Sequence, residues 1–358
     1  MSVSITEFGR SSDGTVIHRA TLKNEQITAE ILSYAGVVHR LVVPDRKGRL
    51  VDVALGYPTV PDYEVNSGDA MGAIVGRYAN RIGGAQFPLY EDIVHVTANQ
   101  SGNCLHSGLH GLHHTVFAME VTPGTDDSVT LTARSPDGMD GFPGNVDFEI
   151  QYRLAGCGLV IQYSASTDAP TVCNLTNHSY FNLNGHASGT ALGHRLSVNA
   201  KSFLETDAAS VPTGKLLPVE GTPMDFNEEK TLGRDIGADY VPLKIGNGYD
   251  HCFVIDRARG SSQSICAWAT SEKTGISMKL YTTQPGIQLY TGNFLQECPT
   301  PGKGGVPMQK YGGFALETQH YPCSPSHPEF PTTVLRAGKV FRATTTLRFF
   351  TGKQCGKL

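Results

Sequence analysis

Runs in which polar and apolar side chains alternate recur from one end of this chain to the other, and glycine and proline interrupt them. Asp147-Phe-Glu-Ile-Gln-Tyr-Arg-Leu154 alternates strictly, and Leu159-Val-Ile-Gln-Tyr-Ser164 resumes the pattern after Ala155-Gly-Cys-Gly158. A period of two belongs to a half-buried strand, and a short glycine-bearing break between two such runs reads as a hairpin. Gln26–Tyr34 and Val37–Val43, separated by Ala35-Gly36, look alike, as do Met278–Tyr281, Ile287–Tyr290 and Val340–Phe350. Composition supports strands over helices. Forty glycines and 20 prolines make about one residue in six of 358, and charged residues are 17% of the chain against a usual ~25%. Surface helices are built from Glu, Lys and Arg, so only short helical turns are expected, for example around Glu228–Asp235.

A length above ~150 residues suggests two domains. No linker, composition shift or internal repeat divides the chain, however. The expectation is one all-β domain over residues 1–358, a large antiparallel β-sandwich with long loops near 61–72, 99–115 and 297–310.

Charge and hydropathy remove several partners. With 29 basic and 33 acidic residues the net charge is −4, and no basic run tracks a phosphate backbone, so nucleic acid is not an expected partner. No apolar stretch reaches the ~18 residues of a transmembrane helix, so no membrane partner is expected. The N-terminal segment has no secretory pattern, and the eight scattered cysteines include no C-x-x-C. Reduced, mostly buried thiols and a cytoplasmic location are therefore expected. Gly356-Lys357-Leu358 loosely resembles a peroxisomal address, which leaves organelle import as a minority alternative.

The chain has no dinucleotide fingerprint, phosphate loop or nucleophile elbow. Polar side chains in a few segments remain. Asn103–His114 carries His106, His110, His113 and His114. His110 and His114 have the i, i+4 spacing of zinc ligands, but Gly108 and Gly111 disfavour a helix and no carboxylate completes a set. Loop histidines are the better reading, and no metal is expected. In Asn174-Leu-Thr-Asn-His-Ser-Tyr-Phe-Asn-Leu183 an extended backbone would put Asn174, Thr176, His178 and Tyr180 on one face. That face is wholly hydrogen-bonding, whereas a core face would be apolar. In Gly313–Pro322, Phe314 and Leu316 would face the core while Ala315, Glu317 and Gln319 face away. Gln288 stands similarly opposite in sense to Ile287 and Leu289. A lone Glu or His on such a face is ordinarily just a surface group.

Taken together these segments resemble the aldose 1-epimerase (galactose mutarotase) family. The resemblance rests on GRYANRI at 76–82, NCLHSG at 103–108, NLTNHSYFNL at 174–183, YDHCF at 249–253, QPGIQLYTGNFL at 284–295 and ALETQHYP at 315–322. It implies a β-sandwich of the galactose mutarotase (supersandwich) type with a sugar cleft on one sheet and a small aldose as substrate. It also implies no cofactor, and a monomer or weak homodimer. It assigns Glu317 as general base, His178 as general acid and His106 as a second active-site histidine, with Asn80, Arg81, Asp250 and Gln288 holding sugar hydroxyls. Ser107, where relatives usually carry Gly, and Cys323, where they usually carry Asp, depart from the pattern.

The chemistry suits these residue types. Interconverting anomers requires ring opening: a base takes the C1-hydroxyl proton, an acid protonates the ring oxygen, and reclosure after rotation about C1–C2 gives the other anomer. Burial could raise Glu317 into a useful range, and carboxylate neighbours could keep His178 charged. Two alternatives use the same fold. A hexose-phosphate epimerase would add a cationic pocket, to which Arg77 and Arg81 could contribute, and a non-catalytic carbohydrate-binding protein would dispense with the acid or base.

Overall fold

The hairpin at Ala155–Gly158 lies at the centre of the largest sheet. Val146–Ala155 pairs antiparallel with Gly158–Thr167 in unbroken register, from Val146 opposite Thr167 to Ala155 opposite Gly158. The computed structural model describes residues 2–256 and 263–352. Within them the late strand Val340–Thr351 sits inside this sheet, between Gly158–Thr167 and Ile276–Thr282. Leu159, Leu347 and Leu280 therefore stand abreast on three neighbouring strands, all facing the core. The nine-stranded order is Ala118–Val121, Ser128–Ser135, Val146–Ala155, Gly158–Thr167, Val340–Thr351, Ile276–Thr282, Ser264–Thr270, Arg195–Val198 and Lys230–Thr231.

A six-stranded antiparallel sheet packs against it, in the order Tyr180–Phe181, Phe314–Gln319, Gly286–Tyr290, Asp250–Ile255, Ala200–Thr206 and Pro212–Pro218. Alternation along Phe314–Gln319 divides the strand as expected. Phe314 and Leu316 enter the core with Phe181 and Phe349, and the Thr318 hydroxyl meets that of Thr345 on the other sheet at 2.5 Å. Ala315 and Glu317 point the opposite way. A third sheet of five strands, Ser2–Arg10, Val16–Lys23, Thr28–Leu32, Val38–Pro44 and Leu50–Asp52, adds Ala20, Leu22, Ile31 and Leu41 to the same core. Each fully buried Leu, Ile or Phe contributes about 1.5–3 kcal/mol.

Three expectations need correction. Glu228–Asp235 is not helical: Lys230–Thr231 forms a bridge to Arg195–Leu196, because the Lys230 ammonium is buried against Pro223 O, Asp235 and the Phe226 ring. Among the described residues the α-helices are Val60–Val65 and Val241–Gly246, each six residues with proline in the first turn. The thiols are not all reduced. Cys104, Cys173, Cys252, Cys266, Cys298 and Cys323 are free, but Cys157 is disulfide-bonded. Thirdly, 174–183 is not one strand. Thr176–Asn177 pairs with Ile74–Val75, and Tyr180–Phe181 pairs with Phe314–Ala315. The chain changes partners between them, and Asn174 is buried with its amide on Ala79 O, His320 O and His320 N–H. Gly356-Lys357-Leu358 lies outside the described residues.

Candidate active site

Four neighbouring strands of the six-stranded sheet bring their outward side chains into one row. Glu317 is registered opposite Gln288, Asp250 opposite Tyr290, and Tyr180 opposite Ala315. Loops rise over this row to enclose an open cleft of about 660 Å³, lined by Asn80, Arg81, His106, His178, Asp250 and Glu317 together with Gly68, Asp69, Gln100, Leu105, Tyr180, Tyr290 and Phe294. Six of the seven residues singled out from the sequence line it directly. Gln288 completes the set from the sheet floor, donating its Nε2 to Asp250 Oδ1 at 2.6 Å.

At the centre His178 Nε2 lies 3.4 Å from Glu317 Oε1, and both side chains are almost wholly buried. Burial, reinforced by the negative charge of Asp250, holds the Glu317 carboxyl well above the usual carboxylate range. Burial lowers His178 to about 4. The expectation that carboxylates keep His178 charged is thus reversed, because desolvation outweighs the attraction of Asp250. Glu317 Oε2, His178 Nδ1 and Gln288 Oε1 are buried with no hydrogen-bond partner. Unpaired buried polar atoms are costly, and all three belong to residues at the floor or wall of this polar cleft.

His106 is held differently. Its Nδ1 accepts the Asn80 N–H at 3.1 Å, while its own N–H donates to Asn80 O at 3.2 Å. With Nδ1 an acceptor, the neutral ring carries its proton on Nε2. Burial, with His178 and His113 close by, drives its pKa well below the ordinary value, so it stays neutral. Asn80 has φ 64°, which asparagine tolerates better than most residues, and its Oδ1 accepts the Arg81 N–H. The Arg81 guanidinium reaches Gln100 Oε1 at 2.8 Å and lies 4.0 Å from Asp250.

The two departures from the family pattern support these groups from behind. Ser107 Oγ accepts the Tyr78 N–H at 2.6 Å and donates to Tyr78 O at 3.1 Å. Cys323 Sγ accepts the Gly83 N–H, and its own N–H donates to Arg81 O, both at 3.0 Å. His110 and His114 do not pair: His110 Nδ1 faces Asp140, and the His114 ring packs on His113. Arg77 is buried away from the cleft, its guanidinium donating to Pro143 O, Thr171 Oγ1, and the carbonyl and hydroxyl of Ser135. Tyr180, which the sequence places on the same polar face as His178, does line the cleft, whereas sequence reasoning missed Asp69, Gln100, Tyr290 and Phe294. Tyr290 is detectable, since it sits two residues beyond Gln288 on the same strand face. Asp69 and Gln100 lie on loops, where no periodicity marks them.

Comparison with known proteins agrees with this geometry. The sequence profile of the aldose 1-epimerase family matches residues 18–348. The chain belongs to the aldose 1-epimerase family. Among its relatives, galactose mutarotase of Rattus norvegicus is 35% identical over 350 residues, covering 98% of this chain and 99% of that one. Aldose 1-epimerase of Escherichia coli K12 is 33% identical over 343 residues, covering 94% and 96%. Among solved structures, a GalM/aldose epimerase homologue from C. elegans superposes with a TM-score of 0.83 at 28% identity, covering 93% and 98%. This aldose 1-epimerase family member has the strand-rich sandwich of those relatives, with the cleft on its six-stranded sheet.

Proposed function

We propose that the cleft interconverts the α and β anomers of free aldohexoses such as glucose and galactose, with Glu317 as base and His178 as acid. The observation that carries this is the 3.4 Å contact between Glu317 and His178 on the floor of a cleft rich in hydrogen-bonding groups. The two oxygens that must exchange protons, the C1 hydroxyl and the ring oxygen, are bonded to the same carbon. A base and an acid whose ends nearly touch can serve both at once.

The pair needs one proton between its two members. With the closed ring bound, Glu317 is the carboxylate and His178 the imidazolium. Glu317 removes the C1-hydroxyl proton as the C1–O5 bond breaks, C1 becomes a carbonyl, and His178 protonates O5. Carboxylic acid and neutral imidazole then face the open-chain aldehyde, which is the distribution that burial favours. Rotation about C1–C2 and the reverse transfers give the other anomer. His106 Nε2–H offers a fixed neutral donor, and Asn80, Arg81, Asp250 and Gln288 hold the remaining hydroxyls.

A phosphorylated substrate fits less well. Arg77 is committed to Pro143, Thr171 and Ser135, which leaves Arg81 facing Asp69, Asp250 and Glu317 in the cleft. Polarimetry on fresh α-D-glucose and α-D-galactose tests the activity: rotation should decay faster than in buffer, and equal decay would refute it. In competition, glucose 6-phosphate should inhibit more weakly than glucose.

The same proposal includes a single domain and a monomer or weak homodimer. In support of the single domain, one apolar cluster runs from Ala20 to Phe349. It also includes a cytoplasmic location. Six free thiols favour that location and the Cys157 disulfide opposes it. Cellular imaging of the intact chain and of one lacking Gly356-Lys357-Leu358 distinguishes it from organelle import.

A further inference from the structure

The cleft is lined in part by a short turn that none of the sequence blocks contains. Ser67–Asp69 forms one 3₁₀ turn, ended by Ala70 in a left-handed conformation at φ 47°. The turn is pinned at its base, where Asn66 Nδ2 donates to Asp62 O at 2.6 Å and to Thr300 Oγ1 at 2.7 Å. Asp69 lines the cleft with Glu317 and His178. Its carboxyl is oriented by a three-membered cluster at one oxygen: Cys298 Sγ donates to Oδ2 at 3.1 Å, and Tyr57 OH stands 3.2 Å from both Oδ2 and Cys298 Sγ. Its backbone carbonyl accepts the Tyr180 hydroxyl at 3.1 Å. Oδ1 has no donor among the described residues. Asp69 therefore presents one fixed, unoccupied acceptor oxygen at the tyrosine side of a sugar-sized cleft. Burial raises its pKa above the ordinary carboxyl value, and its charge acts on Tyr180 and Tyr290. Asp69 makes no hydrogen bond to Glu317 or His178.

We infer that Asp69 is a specificity-determining residue whose Oδ1 accepts a hydrogen bond from one pyranose hydroxyl remote from C1. The inference rests on the anomer-interconverting reading of the cleft. Glu317 and His178 engage the C1 hydroxyl and the ring oxygen, and Asn80, Arg81, Asp250 and Gln288 hold other hydroxyls. An acceptor on a separate turn, with no hydrogen bond to either member of that pair, then meets a further hydroxyl of the ring. Because Tyr57 and Cys298 fix the carboxyl before the sugar arrives, little ordering is needed at binding, and the contact distinguishes sugars by whether that hydroxyl is present.

The test is a coupling measurement. Anomerisation of glucose and of its 2-, 3-, 4- and 6-deoxy analogues is followed by polarimetry, each corrected for its spontaneous rate, with the parent protein, Asp69→Asn and Asp69→Ala. The parent should lose about ten- to a hundred-fold in kcat/KM on one deoxy sugar remote from C1, mainly through KM. Asp69→Ala should lose a similar factor on glucose, yet show no further loss on that same deoxy sugar. Asp69→Asn, which keeps an acceptor for Tyr57 and Cys298, should fall between them with an unchanged melting temperature. A purely structural role would lower every sugar by the same factor, and that result overturns the inference. So does a parent that handles every remote deoxy sugar as it handles glucose, a comparison that needs no variant. A parent that accelerates none of the sugars instead refutes the anomerase reading itself, and the inference falls with it.

Discussion

Glu317 and His178 are opposite in charge type, and burial moves their pKa values in opposite directions. Desolvation penalises whichever form is charged, so it raises the carboxyl and lowers the imidazole to about 4. Across the interval between those values the pair binds one proton, which is the count that anomerisation needs. The pH profile of kcat/KM should therefore be a broad plateau. Activity should fall on the acid side near pH 4, where the pair gains a second proton and loses its base. It should fall again on the alkaline side as the pair gives up its last proton and loses its acid. Those limbs belong to the pair rather than to either residue. The same carboxyl affects folding. Its native pKa lies above its unfolded value, so its contribution to stability is fully present below about pH 4.3 and is lost as pH rises toward the native value. Glu317→Gln cannot ionise and avoids that loss. Thermal melts should show no difference between Glu317→Gln and parent at pH 4, and a Tm advantage for the variant that grows toward neutral pH.

The loop bearing His106 depends on positive φ angles and backbone contacts. His106, Ser107 and Gly108 have φ 52°, 75° and 86° in succession. The Asp140 carboxyl clamps the following residues, accepting the N–H groups of Leu109 and His110 at 3.0 and 2.8 Å. A Cβ at Gly108 would stand 2.7 Å from Asp140 Oδ1. Gly108→Ala should thus cost about 1–3 kcal/mol from backbone strain and contact together. Denaturant unfolding measures that cost, and polarimetry should show reduced kcat as His106 shifts from Asn80. This loop also marks where the sequence becomes silent. Strand faces were legible because one side chain in two must enter the core, so Glu317 and Gln288 could be placed by counting from Phe314 and Ile287. The helical turn expected at Glu228–Asp235 does not form, because the buried contacts of Lys230 override local preference. Asn174 was placed on a binding face by the same alternation, which fails where the chain passes from one strand partner to another. Asp69 and Gln100 reach the cleft through loop closure, and no periodic pattern reports that.

Over the whole molecule, the three sheets share one core, and the late strand Val340–Thr351 lies inside the nine-stranded sheet. Leu347, between Leu159 and Leu280, has no room to relax around a deletion. Leu347→Ala should cost about 2–5 kcal/mol in denaturant unfolding, well above a surface substitution. Buried histidines set a second global property. Burial lowers His39 and His113 to about 3, and His178, His194 and His251 to about 4. Each is neutral in the folded chain and takes up a proton near pH 6.5 when unfolded. Their contribution to stability is present above about pH 6.5 and is lost as pH falls toward 4, by up to about 1.4 kcal/mol per pH unit for each. Urea midpoints should fall steeply over that range. A flat profile would mean that these rings are protonated in the native state.

The most direct test of the central claim is the first-order rate at which fresh α-D-galactose loses its excess rotation, measured with the parent protein and with Glu317→Gln at matched concentration. The parent should exceed buffer, and Glu317→Gln should fall by about 10²- to 10⁴-fold while remaining folded. A folded Glu317→Gln protein that anomerises galactose at the parent rate would contradict the account.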